Sequence, residues 1–290
     1  MLDLYVGIVI VGILSLLIFA VSWRMALHQS PRRISATTCI LLLLLFVYIC
    51  FLQESILGLR LVPFSNAIVL LNLFPPILGV LAGLFLAYPR HPKTHKIVAV
   101  SLISILAVWS MYSPFTGSKP EGGDHWRGDL CMQSNTSSCS AASAATLLEH
   151  FGIQADENQM IDLCLTREAG THQFGIFRGL KIKTKNTPWQ VGVISGNVDD
   201  LRKNRNWPVI LQAGIDKDYE CDPRYESEFG WIPGQPHSVV MFGFAANGRA
   251  KIGDPSIGFE QWSDEDLETL FQGTAFYLYR ETPNLTSRAD

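Results

Sequence analysis

Hydrophobic positions crowd the first part of this chain and give way to a mixed polar pattern in the second. Four apolar runs, Leu4 to Trp23, Ala36 to Leu52, Ala67 to Tyr88 and Ile97 to Tyr112, fall before about residue 113. Each approaches the ~17 to 25 residues that a helix needs to cross a bilayer. The stretch TCILLLLLFVYICFL, residues 38 to 52, lacks the polar stripe of a surface helix in a globular protein. The pattern therefore predicts four membrane-spanning helices. The first run opens MLDLY, with an acid and no Lys or Arg, whereas a cleaved signal segment opens on basic residues; it reads as a retained helix. Pro75-Pro76 inside the third run predicts a kink or break. A re-entrant segment there would change the number of crossings.

Charge orients the helices. Arg24, Arg32 and Arg33 follow the first run, and Arg90, Lys93 and Lys96 follow the third, while Arg60 is the lone basic residue between the second and third. Basic loops stay on the cytoplasmic side. After four crossings, the second part of the chain is expected outside the cytoplasmic membrane of a bacterium. The linker SPFTGSKPEGGDHWRGD replaces apolar residues with Pro, Gly, Ser and charge. The division expected is a transmembrane region over 1–116 and a folded domain over 117–290, whose roughly 170 residues suffice for a buried core. The net charge of −3 and the lack of a basic cluster argue against a nucleic-acid partner.

Within the second part, Ser140 to His150 has Ala, Leu and Glu in helical proportion, with Ser138 and Ser140 as candidate caps. Cys139 sits where that helix starts. The positive end of a helix favours a thiolate, so Cys139 is a candidate nucleophile, although a buried structural cysteine is the commoner role. A thiolate nucleophile also needs a base, an orienting group for the base and donors for an oxyanion. Ser238 to Phe244 and Arg249 to Gly253 are strand-like and flank Asn247-Gly248, a strong hairpin signal. The hairpin would place His237 at one strand start beside Asp254 at the other strand end. Taken singly, each is an ordinary turn residue. Gln133 lies six residues before Cys139, within reach of an oxyanion site shared with the Cys139 backbone N–H.

Gln133, Cys139 followed by SAASAATLLEHFGI, His237 followed by SVVMFGF, and GDPSIG with Asp254 together resemble the bacteriocin-processing cysteine peptidases, whose papain-like domain removes double-glycine leader peptides. The resemblance runs from about Cys131 to Tyr279. It implies an α+β papain-like cysteine peptidase domain behind a four-helix transmembrane region. It further implies Cys139 as nucleophile, His237 as general base and acid, Asp254 as its orienter and Gln133 as oxyanion donor. Residues 167 to 181, REAGTHQFGIFRGLK, resemble the segment bordering the family's substrate cleft and make Gly170 and Thr171 candidate substrate-binding residues. Where the family has Asp-Cys-Gly, this chain has Ser138-Cys139-Ser140.

No cofactor is implied, and no C-x-x-C or H-E-x-x-H spacing provides a metal site. An external location would permit a disulfide between two of Cys131, Cys164 and Cys221. No phosphate-binding G-x-x-x-x-G-K-S/T loop occurs, so any export system coupled to the domain would be a separate partner. The partners expected are a peptide or protein substrate and membrane lipid. The reading is a membrane-anchored peptidase; the alternative is a catalytically idle peptide-binding or sensor module of the same fold.

Overall fold

The computed structural model describes residues 1–53, 55–218 and 220–280. Residues 281–290 of the second segment lie outside the described part. The chain divides into two compact units, Met1–Thr116 and Gly117–Asp290.

In the first unit, helices α1 (Leu2–Ala26), α2 (Pro31–Val47), α3 (Phe74–Ala87) and α4 (Lys93–Tyr112) carry the apolar runs. A π-helical turn, Tyr48–Leu52, continues α2, and a short helix, Ala67–Leu70, precedes α3. Four segments, Leu2–Ala26, Pro31–Leu52, Ala67–Ala87 and Lys93–Phe115, are long and apolar enough to cross a membrane. The third is broken at Leu71 to Leu73, and Pro75 falls in the first turn of α3, where a missing N–H costs nothing. Side chains occupy the freed polar groups. Tyr48 Oη donates to Leu71 O (3.3 Å) and accepts from Leu73 N–H (3.0 Å). Asn72 donates from Nδ2 to Ser110 O (3.0 Å) and accepts Phe74 N–H at Oδ1 (3.1 Å). A helix that crosses a bilayer requires such pairing, because no water is there to supply it. Gly83 lets α1 and α3 approach closely: a Cβ there would lie 2.1 Å from Ser22 Oγ.

The second unit is built on a six-stranded antiparallel sheet of order β3-β8-β4-β5-β6-β7. Its strands are β3 (Trp189–Ser195), β4 (Val209–Ala213), β5 (His237–Phe244), β6 (Ala250–Asp254), β7 (Gly258–Trp262) and β8 (Phe271–Arg280). A small hairpin, β1 (His125–Arg127) with β2 (Leu130–Met132), precedes it. Helix α5 (Cys139–His150) packs against β5, β2, α6 (Glu157–Leu163) and α7 (Gln173–Lys183). Cys139 to Leu148 are all buried, and the small side chains of Ala141, Ala142, Ala144 and Ala145 allow this close packing. Side chains along β5 alternate between faces. Val239 and Met241 join Leu211, Ile252 and Leu267 in the main core, while Ser238 turns to α5, where its backbone O accepts from Ser143 Oγ (3.0 Å).

Glu157 is fully buried, yet both carboxylate oxygens are occupied: Oε2 accepts Gly123 N–H and Oε1 accepts Ser134 N–H, each at 2.7 Å. It fastens the segment that carries Gln133 to α6. Glu157→Ala leaves two backbone donors without their acceptor, and the expected loss is about 2 to 4 kcal/mol of stability, measured as a lower unfolding midpoint in denaturant.

Candidate active site

The hairpin forms as the pattern predicts, with Val240 opposite Gly253 and Met241 opposite Ile252. This register carries His237 and Asp254 to the same end of the sheet. His237 Nε2 lies 3.0 Å from both Oδ1 and Oδ2 of Asp254. Asp254 Oδ1 also accepts from the Ser256 backbone N–H (2.7 Å) and from Ser256 Oγ. The carboxylate is thus held from the turn that follows it, and its side chain is 5% exposed.

Cys139 occupies the first position of α5 and is buried at 8% exposure. The His237 side chain lies close enough to act on the sulfur. Asp254 engages Nε2, which leaves Nδ1 as the ring nitrogen available to the thiol. Burial pushes the Cys139 thiol up, but the His237 hydrogen bond and charge, the Ser238 backbone N–H and the Ser140 hydroxyl outweigh it and hold the thiol below its ordinary value. Burial acts on His237 in the opposite sense to its partners; the bonds to Asp254 and Cys139 and their charges raise its pKa to about 10. Burial raises the Asp254 carboxyl, and His237 and Ser256 return it to below the usual range. The consistent picture is an ion pair, thiolate with imidazolium, backed by a carboxylate. Cys131 and Cys164, equally buried without such partners, are pushed up to about 12.

Behind the pair lies a polar chain that the sequence does not announce. Gln212 Nε2 donates to Ser238 Oγ (2.8 Å), and Ser238 Oγ is 2.7 Å from Ser140 Oγ. Ser238 Oγ accepts from Gln212 and shares one proton with Ser140 Oγ, in either direction. The chain ends at the residue next to Cys139. Ser140 sits where a cap was expected, but it faces the sheet instead. Ser138 makes no capping bond either: its φ/ψ of −103°/8° is not extended, and its hydroxyl donates to Asn135 O (2.7 Å) in the preceding turn. Ser140→Ala removes one of the groups that lower the thiol, so Cys139 alkylation at pH 5 is expected to slow by about twofold to tenfold. Rates at pH 9, where any thiol ionises, should stay close to wild type.

Gln133 borders the same cavity as His237. Its backbone N–H donates to Pro255 O (2.8 Å), tying it to the Asp254 turn. Its Nε2 donates to Asn135 O (3.1 Å), and its buried Oε1 has no partner among the described residues. The amide carries a second N–H, and the Cys139 backbone N–H belongs to the first turn of α5, where donors have no partner within the helix. Gly170 and Thr171 are elsewhere. Gly170 (φ +103°) closes a turn with Arg167, Thr171 Oγ1 bonds Thr166 Oγ1 (2.8 Å), and the helix α7 begins only at Gln173 behind its cap His172. Neither lines the cavity at His237. All six cysteines are unpaired, so the disulfide allowed for Cys131, Cys164 and Cys221 is not formed; two of the three are enclosed in the core.

No family model matches the chain, and no curated protein matches it. Among solved structures, it is similar to the peptidase domain of Streptococcus ComA, a bifunctional ABC transporter, with 21% identity and a TM-score of 0.40 over 52% of this chain and 98% of that one. It is also similar to a double-glycine motif protease from an AMS/PCAT transporter bound to its leader peptide, with 20% identity and a TM-score of 0.41 over 52% of this chain and 91% of that one. The peptidase domain of Streptococcus mutans ComA gives 21% identity and a TM-score of 0.35 over 52% and 99%.

Proposed function

We propose that the chain is a membrane-anchored cysteine peptidase that hydrolyses peptide bonds through Cys139, His237 and Asp254, with Gln133 as oxyanion donor and the catalytic domain outside the cytoplasmic membrane. The observation that carries this reading is the His237–Asp254 pair, 3.0 Å apart, with the buried Cys139 at the start of α5; the lowered thiol and raised imidazole accord with it. In the reading, the Cys139 thiolate attacks the scissile carbonyl carbon, and the carbonyl electron pair moves onto oxygen. The Cys139 N–H and the Gln133 amide receive that oxyanion. Its collapse restores the carbonyl and breaks the C–N bond, while the His237 imidazolium gives its proton to the leaving amine. Water then attacks the thioester and gives a proton to His237, and the C–S bond breaks to release the carboxylic acid and the thiolate. Asp254 keeps the imidazole oriented throughout.

The order and spacing of the four residues, together with their similarity to the bacteriocin-processing peptidases, support leader or secreted peptides as substrates. An export system on a separate chain would supply them. The test is to incubate the full-length protein in detergent micelles with a peptide library in H2(18)O. Mass spectrometry should find new carboxyl termini carrying one 18O label, absent with Cys139→Ala. Unlabelled or amine-capped products would instead indicate another acyl transfer.

A further inference from the structure

A cavity of about 530 Å³ opens beside His237, large enough to admit a long side chain and the backbone that carries it. Trp231 forms one wall, edge-on to His237 (5.7 Å between centroids) and to Trp262 (5.9 Å). Glu260 enters from β7, on the same strand face as Trp262, and its Oε1 accepts the Trp262 indole N–H at 2.6 Å. A second carboxylate, Glu228, lines the cavity from an exposed position, and the remaining cavity charges are engaged. Asp254 holds His237, and Asp266 holds Ser263 and Tyr225 and lies 3.7 Å from Arg224. Arg249, the guanidinium bordering the cavity, donates to Gln261 O (3.0 Å) and reaches Asp266 at 3.9 Å. Among the described residues no salt bridge reaches Glu260. At the mouth, Phe229 and Ile232 are 55% and 60% exposed.

We infer that this cavity is a subsite for a cationic side chain, arginine or lysine, of the peptide substrate. The head group would pair with Glu260 and lie over the indole of Trp231 or Trp262. Its methylene stem would run out along Phe229 and Ile232. A neutral apolar residue would cover the same walls but leave the carboxylate without a counter-charge in a half-enclosed site. An acidic residue would be repelled. Burial and the nearby Asp254 and Asp266 carboxylates hold the Glu260 carboxyl above its ordinary value, against the pull of Trp262 and His237; a bound cation opposes that rise. The inference rests on the peptidase reading for what the ligand is, but not for whether it binds.

The test is ligand-observed NMR on the full-length protein in detergent micelles, with N-acetyl-arginine methylamide and its norleucine counterpart as probes. The arginine probe should bind about fivefold or more tightly than the norleucine probe. Glu260→Gln should remove most of that preference, and Glu260→Asp, which keeps the charge, should retain more of it. Equal binding of the two probes, or an undiminished preference in a folded Glu260→Gln protein, would overturn the inference. Neither probe requires turnover, so Cys139 alkylation in the same samples separates the two readings: reactivity that persists near pH 5 and depends on His237, without an arginine preference, removes the subsite alone.

Discussion

A Cys139→Ser protein is expected to lose peptide cleavage by about four orders of magnitude or more in kcat/KM. The hydroxyl is far less acidic than the thiol, so His237 would not find a preformed anion beside it. The His237, Ser238 and Ser140 groups that lower the thiol favour an anion at this position and would meet a neutral oxygen. The exchange removes little volume at a buried helix start and adds no unpaired group, so circular dichroism and the unfolding midpoint should barely move. Loss of cleavage in a protein that is otherwise intact is the result that separates a nucleophile from a structural cysteine. Product formation by liquid chromatography, on whichever peptide the library identifies, is the measurement.

Asp254→Asn is the second large effect, at about 10²- to 10⁴-fold in kcat. Ser256 fixes its direction. Its backbone N–H and hydroxyl both donate to Asp254 Oδ1, and in the variant they would hold the amide oxygen there. The amide nitrogen then takes the Oδ2 position, 3.0 Å from His237 Nε2, and its N–H favours the tautomer in which Nε2 is the acceptor. In the neutral ring the proton moves to Nδ1, the atom that faces Cys139, and an Nδ1 that already carries a proton cannot take one from the thiol. The pH dependence should shift with it. His237 is raised to about 10 by its partners, Asp254 foremost among them. Without that carboxylate charge the imidazolium loses its proton at lower pH, so the alkaline limb of the kcat/KM profile should move toward neutrality. A variant whose limb stays in place would mean that Asp254 does not act on His237.

The parts of this architecture that read directly from sequence are those set by local pattern. Asn247-Gly248 between two strand-like runs fixes the hairpin, and the hairpin alone brings His237 to Asp254 across 17 residues. The apolar runs gave the helices, and Pro75 the break before α3. What the sequence concealed is held by contacts between distant residues. Gln212, Ser238 and Ser140 span up to 98 positions, and no local rule links a strand glutamine to a helix-start serine. Glu157 was unmarked for the same reason, since its ligands are backbone N–H groups that carry no side-chain signature. The Trp231 wall of the cavity comes from the irregular segment before β5, where periodicity says nothing. Ser138 and Ser140 had the right residue type for caps, but packing against the sheet and the Asn135 turn claimed their hydroxyls first.

The most direct measurement is the rate at which iodoacetamide alkylates Cys139 in the full-length protein as pH falls from 8 to 5, with the site read by mass spectrometry. A thiolate paired with His237 should keep most of its reactivity near pH 5, while an ordinary thiol, with a pKa of ~8.5, slows by about tenfold per unit. His237→Ala should restore the ordinary slope. Sustained reactivity that depends on His237 is what the ion pair predicts. A wild-type profile that falls like a free thiol, or one indifferent to His237→Ala, would contradict it and leave a peptide-binding module of the same fold.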